Sequence, residues 1–247
     1  MSNIFVLPMV FQLGGMNMSY CPTILKDSND LVLVDCGYPD SMLAIEEEMN
    51  KIGLSLNQLT KIIITHHDHD HIGALRDIKD HFPTIEVLCS KEEAPYITGR
   101  RKSLRLQQAE AEYGSLPEKE KEGSLLFQSF IASVKKVDKV ATVTCGEVYP
   151  WCGGTEIVDT KGHTPGHISL YVEKEKTLLA GDALVVENGE LFMAMPQFIL
   201  NTQDAQDSIR DLLNYDIERI ICYHGGIYDA DIRKSLSRII EDFRLYY

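Results

Sequence analysis

Six consecutive residues, His66-His67-Asp68-His69-Asp70-His71, carry only imidazoles and carboxylates. They follow the β-branched run Ile62-Ile63-Ile64, which reads as a buried strand, and they exit into Ile72-Gly73. Packing so many polar groups unpaired into a core would cost several kcal/mol per group. A strand of three isoleucines does not normally open into a purely solvated loop. Histidine nitrogen and aspartate oxygen are, however, ordinary ligands of divalent ions. The cluster points to a metal site, and the rest of the chain must supply further ligands and a frame.

The frame is legible as alternating short apolar runs and helical stretches. Residues 31–34 form a buried strand ending at Asp35-Cys36-Gly37. Asp35 either orients a ligand histidine or caps the helix expected at 41–51. A helix at 74–81 follows the cluster and aims its positive end at the carboxylates. Pro83 ends it, and 85–89 is the next strand. This strand, helix, strand order is the rhythm of an α/β fold. At the start, 4–13 reads as one strand, Gly14-Gly15 as a turn and 23–26 as the return strand. Later strands are expected at 140–144, 155–159, 168–173, 177–180 and 218–223. Helices are expected at 204–213 and 229–246. The Met-rich stretch 190–200 suits either a pocket wall or the core.

Three further places could bring chemistry to the cluster. Gly162-His163-Thr164-Pro165-Gly166-His167 makes a tight loop beside a strand end. Gly181-Asp182 closes a hairpin, and His224 ends the strand 218–223.

Taken in chain order, these five motifs resemble those of the metallo-β-lactamase superfamily, whose signature is usually His-x-His-x-Asp-His. Aligning on Asp70-His71-Ile72-Gly73 puts His66 in the first slot and Asp68 where a second His is usual. The resemblance implies a single α/β domain over 1–247, built as a four-layer αββα sandwich with ligands along one edge of two sheets. It implies two divalent ions, Zn²⁺ foremost, with Mn²⁺ and Fe²⁺ also suited. His66, Asp68, His163 and Asp182 would hold one ion. Asp70, His71, His224 and the bridging Asp182 would hold the other. Asp70 would handle the proton of an attacking water, with Asp35, His167 and His69 behind the ligands. The alternative is that His67 or His69 replaces Asp68. With Asp68 as a ligand, two divalent ions and a hydroxide would leave the site formally neutral, which suits oxygen-preferring ions.

The implied reaction is hydrolysis of a small ester, lactone, thioester or phosphoester. An iron-dependent oxidoreductase or a non-catalytic metal-stabilised binding module are the alternatives. The net charge of −13 over 247 residues argues against a nucleic-acid partner. Residues 91–137 differ, with nine Lys/Arg against seven Asp/Glu and a basic run holding Arg100, Arg101 and Arg105. They form either a solvated helical surface or a lid that steers an anionic substrate, with Tyr96 and Phe127 as apolar walls. Six cysteines without a Cys-x-x-Cys pair suit a reducing compartment. No basic leader and no stretch of ~20 apolar residues is seen, so a cytoplasmic protein outside the membrane is expected.

Overall fold

Ile62, Ile63 and Ile64 are wholly buried, yet they serve two different cores. Ile63 packs with Leu88, Leu170 and Ile221. Ile62 and Ile64 pack with Ile45, Met49 and Ile78. A strand sends successive side chains to opposite faces, so this run needs apolar cover on both sides. Each such isoleucine contributes about 1.5–3 kcal/mol by leaving water.

The computed structural model describes residues 4–13 and 16–246. The chain opens with strands β1 (Ile4–Val6), β2 (Met9–Leu13), β3 (Met16–Tyr20), β4 (Thr23–Lys26) and β5 (Leu31–Val34). Helix α1 (Met42–Lys51), β6 (Lys61–Ile64), α2 (Leu75–His81) and β7 (Glu86–Ser90) follow. The polar segment folds as α3 (Ala94–Ile97), α4 (Leu104–Glu112) and α5 (Glu118–Ser133). Next come β8 (Ala141–Val143), β9 (Val148–Tyr149), β10 (Thr155–Asp159), β11 (Ile168–Val172) and β12 (Thr177–Gly181). The hairpin β13 (Val185–Glu187) and β14 (Glu190–Phe192) leads to α6 (Thr202–Asp211), β15 (Arg219–Cys222), β16 (Gly226–Tyr228) and α7 (Ile232–Tyr246).

Two six-stranded mixed sheets result, ordered β1-β4-β5-β6-β7-β8 and β16-β15-β12-β11-β10-β9. Val32, Val34 and Leu88 of the first meet Ile157, Leu170 and Leu179 of the second in the central core. The outer face of the first sheet packs on α1 and α2 through Ile45, Met49 and Ile78. The outer face of the second packs on α6 and α7 through Ile209 and Leu236. This is a four-layer αββα sandwich.

The N-terminal region departs from expectation. The strand expected over 4–13 breaks at Leu7-Pro8, where Leu7 N–H bonds to Pro22 O at 2.8 Å and Pro8 has no N–H to give. β2 pairs with β3 in the register Met9↔Tyr20, whereas β4 lies between β1 and β5. The turn expected at Gly14-Gly15 lies outside the described residues. The helical segment is interrupted before α5, with Pro117 at that helix's start. All six cysteines are free, and five are buried. Among the described residues, no helix is long and apolar enough to cross a membrane.

Candidate metal centre

The ligand loops leave both sheets at one edge. Asp35 stands just past β5 with a left-handed backbone, φ 59°. Its Oδ1 accepts from Thr65 N–H and its Oδ2 from the Thr65 hydroxyl, each at 2.8 Å. Oδ2 also lies 2.8 Å from His71 Nδ1. That contact turns His71 Nε2 into the site, as a carboxylate behind a ligand histidine does. Ser41, not Asp35, stands at the start of α1. Thr65 Oγ1, already donating to Asp35, takes the N–H of His66 Nδ1 at 3.0 Å and leaves His66 Nε2 free to bind.

The loop is closed by Gly73. Its N–H bonds Gly37 O at 2.8 Å, and a Cβ there would lie 2.1 Å from the Tyr38 carbonyl carbon. From the second sheet, Asp182 follows β12. Its N–H donates to His167 Nε2 at 3.0 Å, and His167 Nδ1 lies 2.9 Å from Thr160 Oγ1. Burial, then the rings of His66 and His163, push the His167 pKa well below 6.5, so it is the neutral acceptor this bond needs. Tyr223 donates its hydroxyl to Asp70 O, and the next residue, His224, anchors Nδ1 3.1 Å from Ser19 O.

Three groups of ligand atoms lie within 4.8 Å of one another: His66/Asp68/His163, His66/His71/Asp182 and Asp70/His71/His224. Asp182 spans the two halves, 3.3 Å from His71, 3.7 Å from His163 and 3.6 Å from His224. Buried His66 Nε2 and Asp68 Oδ1 have no hydrogen-bond partner, and His71 Nε2 and Asp182 Oδ1 face each other at 3.3 Å without a well-directed hydrogen bond. Buried polar atoms are rarely left so, and a converging set of nitrogen and carboxylate donors fits divalent ions.

Without an ion, the imidazoles and carboxylates of the cluster hold one another's charge. Burial opposes ionisation of Asp182, but His224 and His71 hold its pKa well below 3.8. Burial would lower His71 and His224, yet Asp182 leads the carboxylates that raise both well above 6.5. Burial, then the neighbouring His71 ring, lowers His66.

Asp68 is buried in the first group, but it has a partner not foreseen for it. Arg105, on α4, donates to Asp68 Oδ2 at 2.8 Å. Burial opposes the Asp68 charge, and this guanidinium leads the groups that hold its pKa well below 3.8. Arg100 and Arg101 are exposed and do not line the ligand cavity, so the structure does not bring them to the site. They sit in the turn before α4, which points only Arg105 inward.

His67 does not replace Asp68. Its Nε2 accepts from Leu104 N–H at 3.2 Å, its Nδ1 binds Glu93, and its ring stacks on Tyr96. His69 stands on the cavity wall, edge-on to Phe127, Phe130 and Tyr38, with Nδ1 3.7 Å from Asp70 Oδ1. Sequence reading missed Glu93. It is wholly buried and accepts from His67 N–H, the Thr164 hydroxyl and Gly166 N–H at 2.9, 2.8 and 3.0 Å. It thereby joins the loops that carry His66 and His163. Nothing in the charged run 91–93 marks it out.

The ligands open into a cavity of about 370 Å³. Its outer wall is largely apolar, with Met18, Tyr38, Phe127, Val186, Met195 and Phe198.

An αββα sandwich with His and Asp side chains gathered at one sheet edge defines a class of metal-binding proteins. The profile of the metallo-beta-lactamase superfamily matches residues 22–224, and the chain belongs to that superfamily. It is 29% identical over 218 residues to the probable metallo-hydrolase YflN of Bacillus subtilis (strain 168), covering 81% of this chain and 77% of that one. A hydroxyacylglutathione hydrolase of Synechococcus is 23% identical over 218 residues, covering 87% and 67%. Among solved structures, a metallo-beta-lactamase family protein from Thermus thermophilus superposes with a TM-score of 0.77 at 19% identity, covering 98% of this chain and 80% of that one.

Proposed function

We propose that this chain is a hydrolase that uses two divalent ions to activate water against an uncharged ester, lactone or thioester with an apolar substituent. The observation that carries the reading is the convergence of seven side chains, several with partnerless buried donor atoms, five of them on the floor of a largely apolar cavity. His66, Asp68 and His163 would hold one ion, Asp70, His71 and His224 the other, and Asp182 would touch both. Such ions, zinc foremost, supply Lewis acidity and lower the pKa of water toward neutrality.

The chain's own groups do the rest. Asp70 takes the proton of the attacking water at Oδ1, since His224 Nε2 lies 3.1 Å from Oδ2. Phe127, Met195 and Phe198 exclude water and seat the apolar part of the substrate. The one guanidinium among the cavity residues is engaged with Asp68, and Glu187 adds a further acid at the wall. Both favour a neutral substrate over the anion that the basic run suggests.

A second reading rests on Asp68, Asp70 and Asp182. Three carboxylates in one centre also suit Fe²⁺ and an oxidoreductase. The test is a panel of nitrophenyl esters, lactones, thioesters and a phosphodiester, offered to protein loaded in turn with Zn²⁺, Mn²⁺ and Fe²⁺. Turnover of a neutral ester, lactone or thioester with one of these ions supports hydrolysis. Oxygen uptake by the iron form, with no hydrolysis in any form, overturns it.

A further inference from the structure

Arg105 is 4% exposed, a rare state for an arginine. Its Nη2 lies 2.8 Å from Asp68 Oδ2, 2.9 Å from Phe198 O and 3.4 Å from His163 Nε2. Its Nε lies 3.3 Å from the same Asp68 oxygen, and its Nη1 is 2.8 Å from Gln108 Oε1. The Phe198 ring lies 5.4 Å from its central carbon. The guanidinium is therefore held from several sides, within hydrogen-bond distance of two of the three side chains of the His66/Asp68/His163 group. No Lys or Arg touches the carboxylates of Asp70 and Asp182 among the described ion pairs.

We infer that Arg105 is a built-in counter-cation that makes the His66/Asp68/His163 site the weaker of two unequal metal sites. The inference rests on the dinuclear reading above and adds an order of filling to it. An ion entering beside Asp68 must share that carboxylate with the guanidinium and tolerate its charge a few ångströms away. A unit charge at such a distance shifts binding of a second cation by well over tenfold at the effective dielectric of a protein. The Asp70/His71/His224 site carries no such competitor and fills first. The pair also restores the charge that Asp68 removes. A loaded site that would be formally neutral with Asp68 alone becomes positive by one charge once Arg105 is counted.

The test is calorimetric titration of metal-free protein with Zn²⁺, and separately with Mn²⁺, with bound metal counted by atomic emission. Wild type takes one tight equivalent and a second at least about tenfold weaker. His71→Ala removes the tight step and His163→Ala the weak one. Arg105→Gln tightens the second step about tenfold or more and leaves the first within about twofold, whereas Arg105→Lys, which keeps the charge, leaves both steps unequal. Two equivalents of equal affinity in wild type, or a second step unmoved or weakened in Arg105→Gln, overturn the inference. The wild-type isotherm decides alone if Arg105→Gln does not fold by circular dichroism. Equal steps with hydrolysis intact sink only this inference, while no bound ion at all sinks the hydrolase reading.

Discussion

Asp35 holds His71 through a 2.8 Å contact from Oδ2 to Nδ1, and His71 in turn presents Nε2 3.3 Å from Asp182. The carboxylate fixes both the ring orientation and the nitrogen that carries the proton. Asp35→Asn keeps the shape and removes the charge. It should weaken the tighter metal-binding step about 10–100-fold, read by competition with a chromophoric chelator. An unchanged affinity would mean that Asp35 serves only the turn after β5.

Glu93 gives the fold an acid-sensitive joint. Burial opposes its ionisation, but the His67 ring and the Thr164 hydroxyl hold its pKa below the ordinary 4.5. A carboxylate depressed on folding stabilises the native state fully above its unfolded pKa, and that stability is lost as pH falls through the folded value. Urea midpoints measured from pH 7 downward should therefore fall below about pH 4.5 in wild type and fall less steeply in Glu93→Gln. At pH 7 the variant should be less stable by about 1.5–3 kcal/mol, since the donors of His67, Thr164 and Gly166 lose a charged acceptor.

Phe127 reaches the cavity from α5 and stands edge-on to His69. Phe127→Ala should raise KM for nitrophenyl esters with long acyl chains about tenfold, with kcat within about twofold and acetyl esters little affected. An equal loss for short and long chains would place the apolar recognition elsewhere.

Gly73→Ala should abolish folding or cost more than about 3 kcal/mol, because the new methyl would sit 2.1 Å from the Tyr38 backbone and 2.6 Å from Gly37 O. Thermal melts of metal-free protein isolate this effect from ion binding. Melting within a few degrees of wild type would show that the loop yields.

Much of this was readable in the chain. The isoleucine run, the valine-rich strand before Asp35 and the glycine-framed His163 and Asp182 announce themselves by local pattern, because buried strands need continuous apolar runs. The candidate ligand side chains were legible because four fall within six consecutive positions, Asp182 and His224 follow strands, and His163 sits in a glycine-framed loop. The partners were not. Arg105 meets Asp68 across 37 positions, and Glu93 meets Gly166 across 73. Such pairings depend on how a loop and a helix cross in space. β3 escaped for another reason: Met16-Asn17-Met18-Ser19-Tyr20 has weak strand character, and its pairing with β2 defines it.

His66, Asp68, Asp70 and His71 hang from one sheet, while His163, Asp182 and His224 hang from the other. An ion gripped by both groups is therefore a clasp across the open rim of the sandwich as well as a reagent. Starving the protein of such an ion should loosen the seam between the layers at that rim first, while the opposite edge keeps the packing of Trp151 and the bond from Cys152 N–H to Asp27.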